Sequence, residues 1–182
     1  MKKIVHSVLA SMFASMFASV FALAASAAFA QSAAPSDAQI AGIVVTANTV
    51  DIDAGKLAQK MSRNKEVKQF GKQMVTDHTG VNKQATALVK KLKVKPEDND
   101  TSKSLKAGGD ANISKLKGLK GAAFDKAYVD NEVTYHQAVI DALDKTLIPN
   151  AKNAELKDML EKVKPAFVAH LEHAKQIQQS LK

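Results

Sequence analysis

Beyond residue 36, apolar positions recur at intervals of three and four, the spacing of amphipathic helices. In the first such segment Val44, Ala47, Asp51, Ala54, Ala58 and Met61 share one face. Ser36 and Gln39 have the spacing of a capping box, so a helix is expected over about 37–61, weakened at its start by the β-branched run at 43–46. Asn64 is a natural cap for a second helix reaching about residue 93, with Val67, Phe70, Met74, His78, Val81, Ala85, Leu88 and Leu92 inward. The pattern then breaks. The stretch 96–102 is polar and turn-rich, and Gly108-Gly109 is a second breaker. Residues 94–120 therefore read as an irregular crossover, with a helical turn at 104–107 and a short helix at 110–119 capped by Asp110. A third helix is expected from 121 to just before Pro149, with Val129, Val133, His136, Ile140, Leu143 and Leu147 inward, flanked by Phe124 and Tyr128. Asn153 caps a fourth, to about 180, carrying Leu156, Met159, Leu160, Val163, Phe167, His170, Ala174 and Ile177. Pro165 lies inside it and is expected to kink it by removing a backbone donor.

Four long helices and no strand pattern predict an all-α fold. Tight connections near 61–64 and 148–153 make antiparallel pairs, and the long middle connection points to the crossover of a ferritin-like antiparallel four-helix bundle. The bundle domain is expected over 37–182, after a short disordered lead at 31–36.

The segment 1–30 has a different character. Lys2 and Lys3 precede a run without Lys, Arg or acid that ends in Ala28-Phe29-Ala30, the layout of a secretory signal peptide. The alternative is a retained membrane anchor, since the run is long enough to span a bilayer. Its richness in Ala and Ser and the placement of its small-x-small motif favour cleavage. The expected location is the periplasm or the outer membrane, with no transmembrane span left after cleavage. The formal charge of +8 falls to +6 once Lys2 and Lys3 are removed. That charge comes from scattered lysines and a single arginine, Arg63, with no Trp. Such a surface is a poor nucleic-acid reader, so no nucleic-acid partner is expected. The partners it suits are an envelope protein or an anionic lipid or cell-wall surface. The absence of Cys excludes disulfides, thiolate metal sites and cysteine nucleophiles.

One polar residue interrupts each apolar stripe: Asp51, His78, His136 and His170. Counted from the tight turns, the members of each pair lie within about one and a half helical turns of the same depth. Three imidazoles and a carboxylate are suitable ligands for zinc, iron or copper, with Asp77, Glu132 and His173 as outer partners. The same residues also suit a metal-free buried polar layer that fixes helix register through hydrogen bonds. The pattern does not separate these readings, nor metal from no cofactor at all. There is no Glu-x-x-His pair, no phosphate loop and no nucleophile elbow, so no catalytic residue is assigned.

The segments 51–58 (DIDAGKLA), 66–79 (EVKQFGKQMVTDHT), 121–130 (GAAFDKAYVD) and 164–171 (KPAFVAHL), together with His136, resemble the bacterial family known as domain of unknown function 4142. The resemblance implies an exported, ferritin-like four-helix bundle, often labelled a predicted outer-membrane protein, with no established activity. Asp77, His78, His136 and His170 match the family's pattern. Asp51, where the family usually has Glu, and Tyr135, where it often has an acid, depart from it. Three roles are then consistent with the sequence: a binding or stress-related accessory protein of the envelope, a metal-binding and redox-capable protein, or a lysine-rich protein on anionic surfaces.

Overall fold

The computed structural model describes residues 34–181, and all regular structure among them is helical. The signal segment and the start of the lead lie outside the described residues. Helix α1 spans Asp37–Met61, α2 Lys65–Lys91, α3 Asp100–Lys117 and α4 Gly121–Ala142; a π-helical turn, Leu143–Leu147, leads into the short α5, Ile148–Asn150, and α6 spans Ala154–Ser180. The expected caps form: Ser36 and Gln39 close a capping box on α1, Asn64 accepts from the backbone of Glu66 and Val67, and Asn153 accepts from Leu156. Helix α2 ends with Lys93 in the left-handed region (φ 55°), where Lys93 N–H bonds Lys90 and Val94 N–H bonds Val89. That is the six-to-one and five-to-two pairing of a Schellman stop.

Two stretches differ from the sequence pattern. Residues 94–120 are not mainly irregular, because they contain the 18-residue helix α3 running straight through Gly108-Gly109. Asn99 and Ser102 cap it reciprocally, and Gly109 lies against α1, where a Cβ would sit 2.7 Å from a Val50 methyl. The glycine that weakens the isolated helix is what lets α3 pack closely on α1. The helical path also continues past Pro149. The π turn absorbs the missing donor, with Ile148 N–H bonding Leu143 O five residues back. Pro165 is carried within α6.

Helix α1 packs on α2, α3 and α4, and α6 on α4 and α2. Contacts between α2 and α6 run Glu66–Ser180, Gln73–His173, Asp77–His170 and Lys91–Glu155, so the two are antiparallel. Asp37 accepts from the Lys152 and Asn153 backbone, and Tyr135 bonds Ala47, which sets α1 antiparallel to α4. Two apolar clusters fill the interior. One gathers Ile40, Val44, Val81, Ile140, Leu160 and Phe167; the other gathers Ala58, Phe70, Met74, Phe124, Tyr128 and Ile177. Each buried Leu, Ile or Phe contributes about 1.5–3 kcal/mol. Between the clusters lies a polar layer of Asn48, Asp51, His78, Glu132, His136 and His170, all buried.

Gly55 and Gly71 set the α1–α2 spacing beside that layer. A Cβ on Gly71 would lie 2.8 Å from Gly55 O and 2.9 Å from the Ala58 methyl. Gly71→Ala is therefore expected to lower the unfolding free energy by about 1–3 kcal/mol. The loss comes despite alanine's helix-propensity advantage of about 1 kcal/mol. Urea melts compare the two proteins; an unchanged or raised midpoint contradicts this account of the helix contact.

Candidate metal centre

Each polar residue of the middle layer comes from a different turn of a packed helix: Asn48 and Asp51 from α1, His78 from α2, Glu132 and His136 from α4, His170 from α6. The three imidazoles face one another, with ring centroids 5.6 Å apart for His78–His136, 5.3 Å for His78–His170 and 5.4 Å for His136–His170. Phe167 stacks on His78 at 5.1 Å and 15°. One ligand atom from each of His78, His136 and His170 lies within 4.8 Å of the others, and the same holds for Asp51, Glu132 and His136.

The outer ring nitrogens are spoken for. His78 Nδ1 is 2.6 Å from Asn48 Oδ1, and that amide is oriented because its Nδ2 donates to Val44 O at 2.8 Å. His136 Nδ1 is 3.0 Å from the Glu132 carbonyl, and His170 Nε2 is 2.9 Å from Asp77 Oδ2. All three partners are acceptors, so each of these nitrogens must be the N–H. In a neutral ring the inner nitrogen then carries the lone pair, and the inner nitrogens, His78 Nε2, His136 Nε2 and His170 Nδ1, have no hydrogen-bond partner among the described residues. Those of His78 and His136 face a carboxylate. Asp51 Oδ2 is 2.8 Å from His78 Nε2 and 3.4 Å from His136 Nε2, and the carboxyl of Glu132 is the neighbouring side chain that can donate to Asp51 when protonated. Lone pair faces lone pair, which is costly unless a proton or a cation bridges them.

The electrostatics follow from burial. Burial alone would raise the Asp51 carboxyl, but the imidazoles of His78 and then His136 outweigh it and hold it below its usual range. Burial, and next the Asp51 charge, push Glu132 well above the usual carboxylate range, so Glu132 keeps its proton. Burial lowers His136 to about 4 against the pull of Asp51, and it lowers His170 against the pull of Asp77. Tyr128, buried beside Glu132, is pushed well up by desolvation. The layer thus sets a buried Asp51 carboxylate and a protonated Glu132 beside two imidazoles, His136 and His170, whose charging burial opposes.

The four residues singled out in the apolar stripes, Asp51, His78, His136 and His170, meet in this one layer. Asp77 lies outside it, holding His170. Glu132 lies inside it, with Oε2 3.4 Å from His136 Nδ1. His173 stands apart: its Nδ1 is 3.2 Å from Gln73 Oε1 and its ring meets the edge of Phe70. Asn48 was not among the residues singled out from the sequence. Its one signal is its place three residues before Asp51 on the same helical face. No helix among the described residues is long and apolar enough to cross a membrane.

Fold and layer together define an all-helical protein with a buried histidine–carboxylate cluster between two apolar clusters. The chain belongs to the family described as Domain of unknown function (DUF4142), which matches residues 22–177. No curated protein and no solved structure matches the chain.

Proposed function

We propose that this is an exported, ferritin-like four-helix bundle protein that binds one divalent transition-metal ion, zinc, iron or copper, at mid-bundle. The ligands are Asp51, His78, His136 and His170. The observation that carries this reading is the convergence of three inward imidazole nitrogens, two of them beside the buried Asp51 carboxylate, each imidazole pinned by an acceptor on its outer nitrogen. A ligating histidine nearly always donates its other N–H in this way. Glu132 keeps a proton that it can give to Asp51, yet the inward imidazole nitrogens have no hydrogen-bond partner among the described residues. Three neutral imidazoles and one carboxylate form a mixed nitrogen–oxygen set of the kind that zinc, iron and copper accept. Export rests on the signal-like segment 1–30. The ferritin-like topology is supported by the antiparallel order α1–α2–α6–α4 and by α3 carrying the chain along α1 between α2 and α4.

Metal-stripped protein titrated with Zn²⁺, Fe²⁺ or Cu²⁺ is expected to take up one ion per chain. At a hundredfold excess over Kd, the bound ion adds about 2.7 kcal/mol and raises Tm by several degrees. Calorimetry and elemental analysis after desalting read both effects. No retained metal and no shift in melting for any of the three ions would refute the proposal.

A further inference from the structure

A centre this deep needs a way in, and the four seams around it are not alike. Between α1 and α2 the paired glycines bring backbone against backbone. Between α1 and α4 Tyr135 spans the gap, its hydroxyl donating to Ala47 O at 2.9 Å. Between α4 and α6 the apolar side chains of Val133, Val163 and Phe167 fill the space. The α2–α6 seam is held by polar pairs, Gln73–His173 and Asp77–His170 at this level. One turn beyond Asp77, a Cβ on Gly80 would meet open space among the described residues.

The outer partners of the three histidines differ in the same direction. Asn48 and Glu132 are buried, whereas the Asp77 side chain is 41 % exposed. His170 itself is only 2 % exposed, and its unpartnered Nδ1 faces the centre. One imidazole thus has a solvent-facing carboxylate on its outer edge and an unfilled lone pair on its inner edge. The chain as a whole is positive, formally +8, which repels cations from most of its surface.

We infer that divalent cations reach and leave the centre through the α2–α6 seam, with Asp77 as the capture carboxylate and His170 as the residue that turns to pass the ion inward. This inference rests on the metal reading of the centre. Asp77 is a positioning and capture residue, not a ligand in the loaded state.

The test is stopped-flow loading of the metal-stripped full-length protein with Co²⁺, followed by its visible absorption, and release into excess chelator. Asp77→Asn retains an acceptor for His170 Nε2–H and removes the charge. Loading is expected to slow by about tenfold, in the range by which a steering charge alters association. Release is expected to slow with it, so that Kd moves less than threefold. Asp77→Glu, which keeps the charge, is expected to load within about threefold of the wild-type rate. Faster release with unchanged loading in Asp77→Asn overturns the inference, because Asp77 then only orients His170. Unchanged loading and release in Asp77→Asn overturns it as well. If the wild-type protein binds no Co²⁺, the metal reading itself fails, and that outcome is visible before any variant is made.

Discussion

Replacing His136 with alanine is expected to abolish retention of metal by the purified protein. Its position explains the size of the effect. His136 belongs to both groups of converging ligand atoms, and its Nε2 faces the same Asp51 oxygen that His78 approaches. Loss of an outer partner such as Asn48 costs a metal site about 10–100-fold in affinity, because the ring is freed but the ligand remains. Loss of the ligand itself removes a bond and leaves two imidazoles and the Asp51 carboxylate to hold the ion, so the fall should exceed about 10³-fold, beyond that range. Asn48→Leu supplies the graded comparison, expected to bind at an intermediate affinity. Equilibrium dialysis with Zn²⁺, with circular dichroism to verify helical content, measures both variants. If folded His136→Ala protein binds as tightly as wild type, the layer is not the metal site.

Much of this arrangement was legible in the residue pattern, and the reason is periodicity. A helix with one apolar face reveals a polar intruder at once, and Asp51, His78, His136 and His170 each interrupt such a face. Because tight turns join the helices in pairs, counting from the turns placed those intruders at matching depth. The bounds of α1 followed from the Ser36–Gln39 capping box at one end and the loss of pattern after Met61 at the other. Helix α3 was not legible, because its stability comes from docking. It buries only Ser102, Gly109 and Leu116, so its own stripe is faint, and Gly108-Gly109 argues locally against a helix. Contact with Val50 reverses that preference, and no count along the chain reveals the contact. Asn48 was hidden for a related reason. An Asn in a helix reads as exposed until a partner 30 residues away claims its side chain. Glu132 was expected only as an outer partner, and its protonation depends on the charge of Asp51, which is a property of the assembled layer.

In the metal-stripped protein His136 is expected to contribute a share of stability that is lost on mild acidification. Burial, opposed by Asp51, lowers its folded-state pKa from 6.5 to about 4. In the unfolded chain the same imidazole takes up a proton near 6.5. Between about pH 6.5 and 4 the unfolded state therefore binds more protons, so stability rises with pH across that window and is lost as pH falls through it. A depression of about 2.5 pKa units corresponds to about 3 kcal/mol. His170, lowered in the same direction, adds to the slope. Glu132 opposes it: its raised pKa gives stability that is full below about 4.5 and declines as pH rises above that. Glu132 and His136 thus largely offset each other above about pH 4.5, so the overall pH profile does not report His136 alone. The share of His136 is isolated by the variant His136→Gln, which cannot titrate. Urea melts of both metal-stripped proteins at pH 7, 6, 5 and 4 give the difference in unfolding free energy. That difference should shift by about 3 kcal/mol against wild type between pH 7 and 4. A difference independent of pH would show that folding does not lower the pKa of His136, and a difference of the opposite sign would show a raised pKa, with a proton bridging the ring to Asp51 in place of a cation.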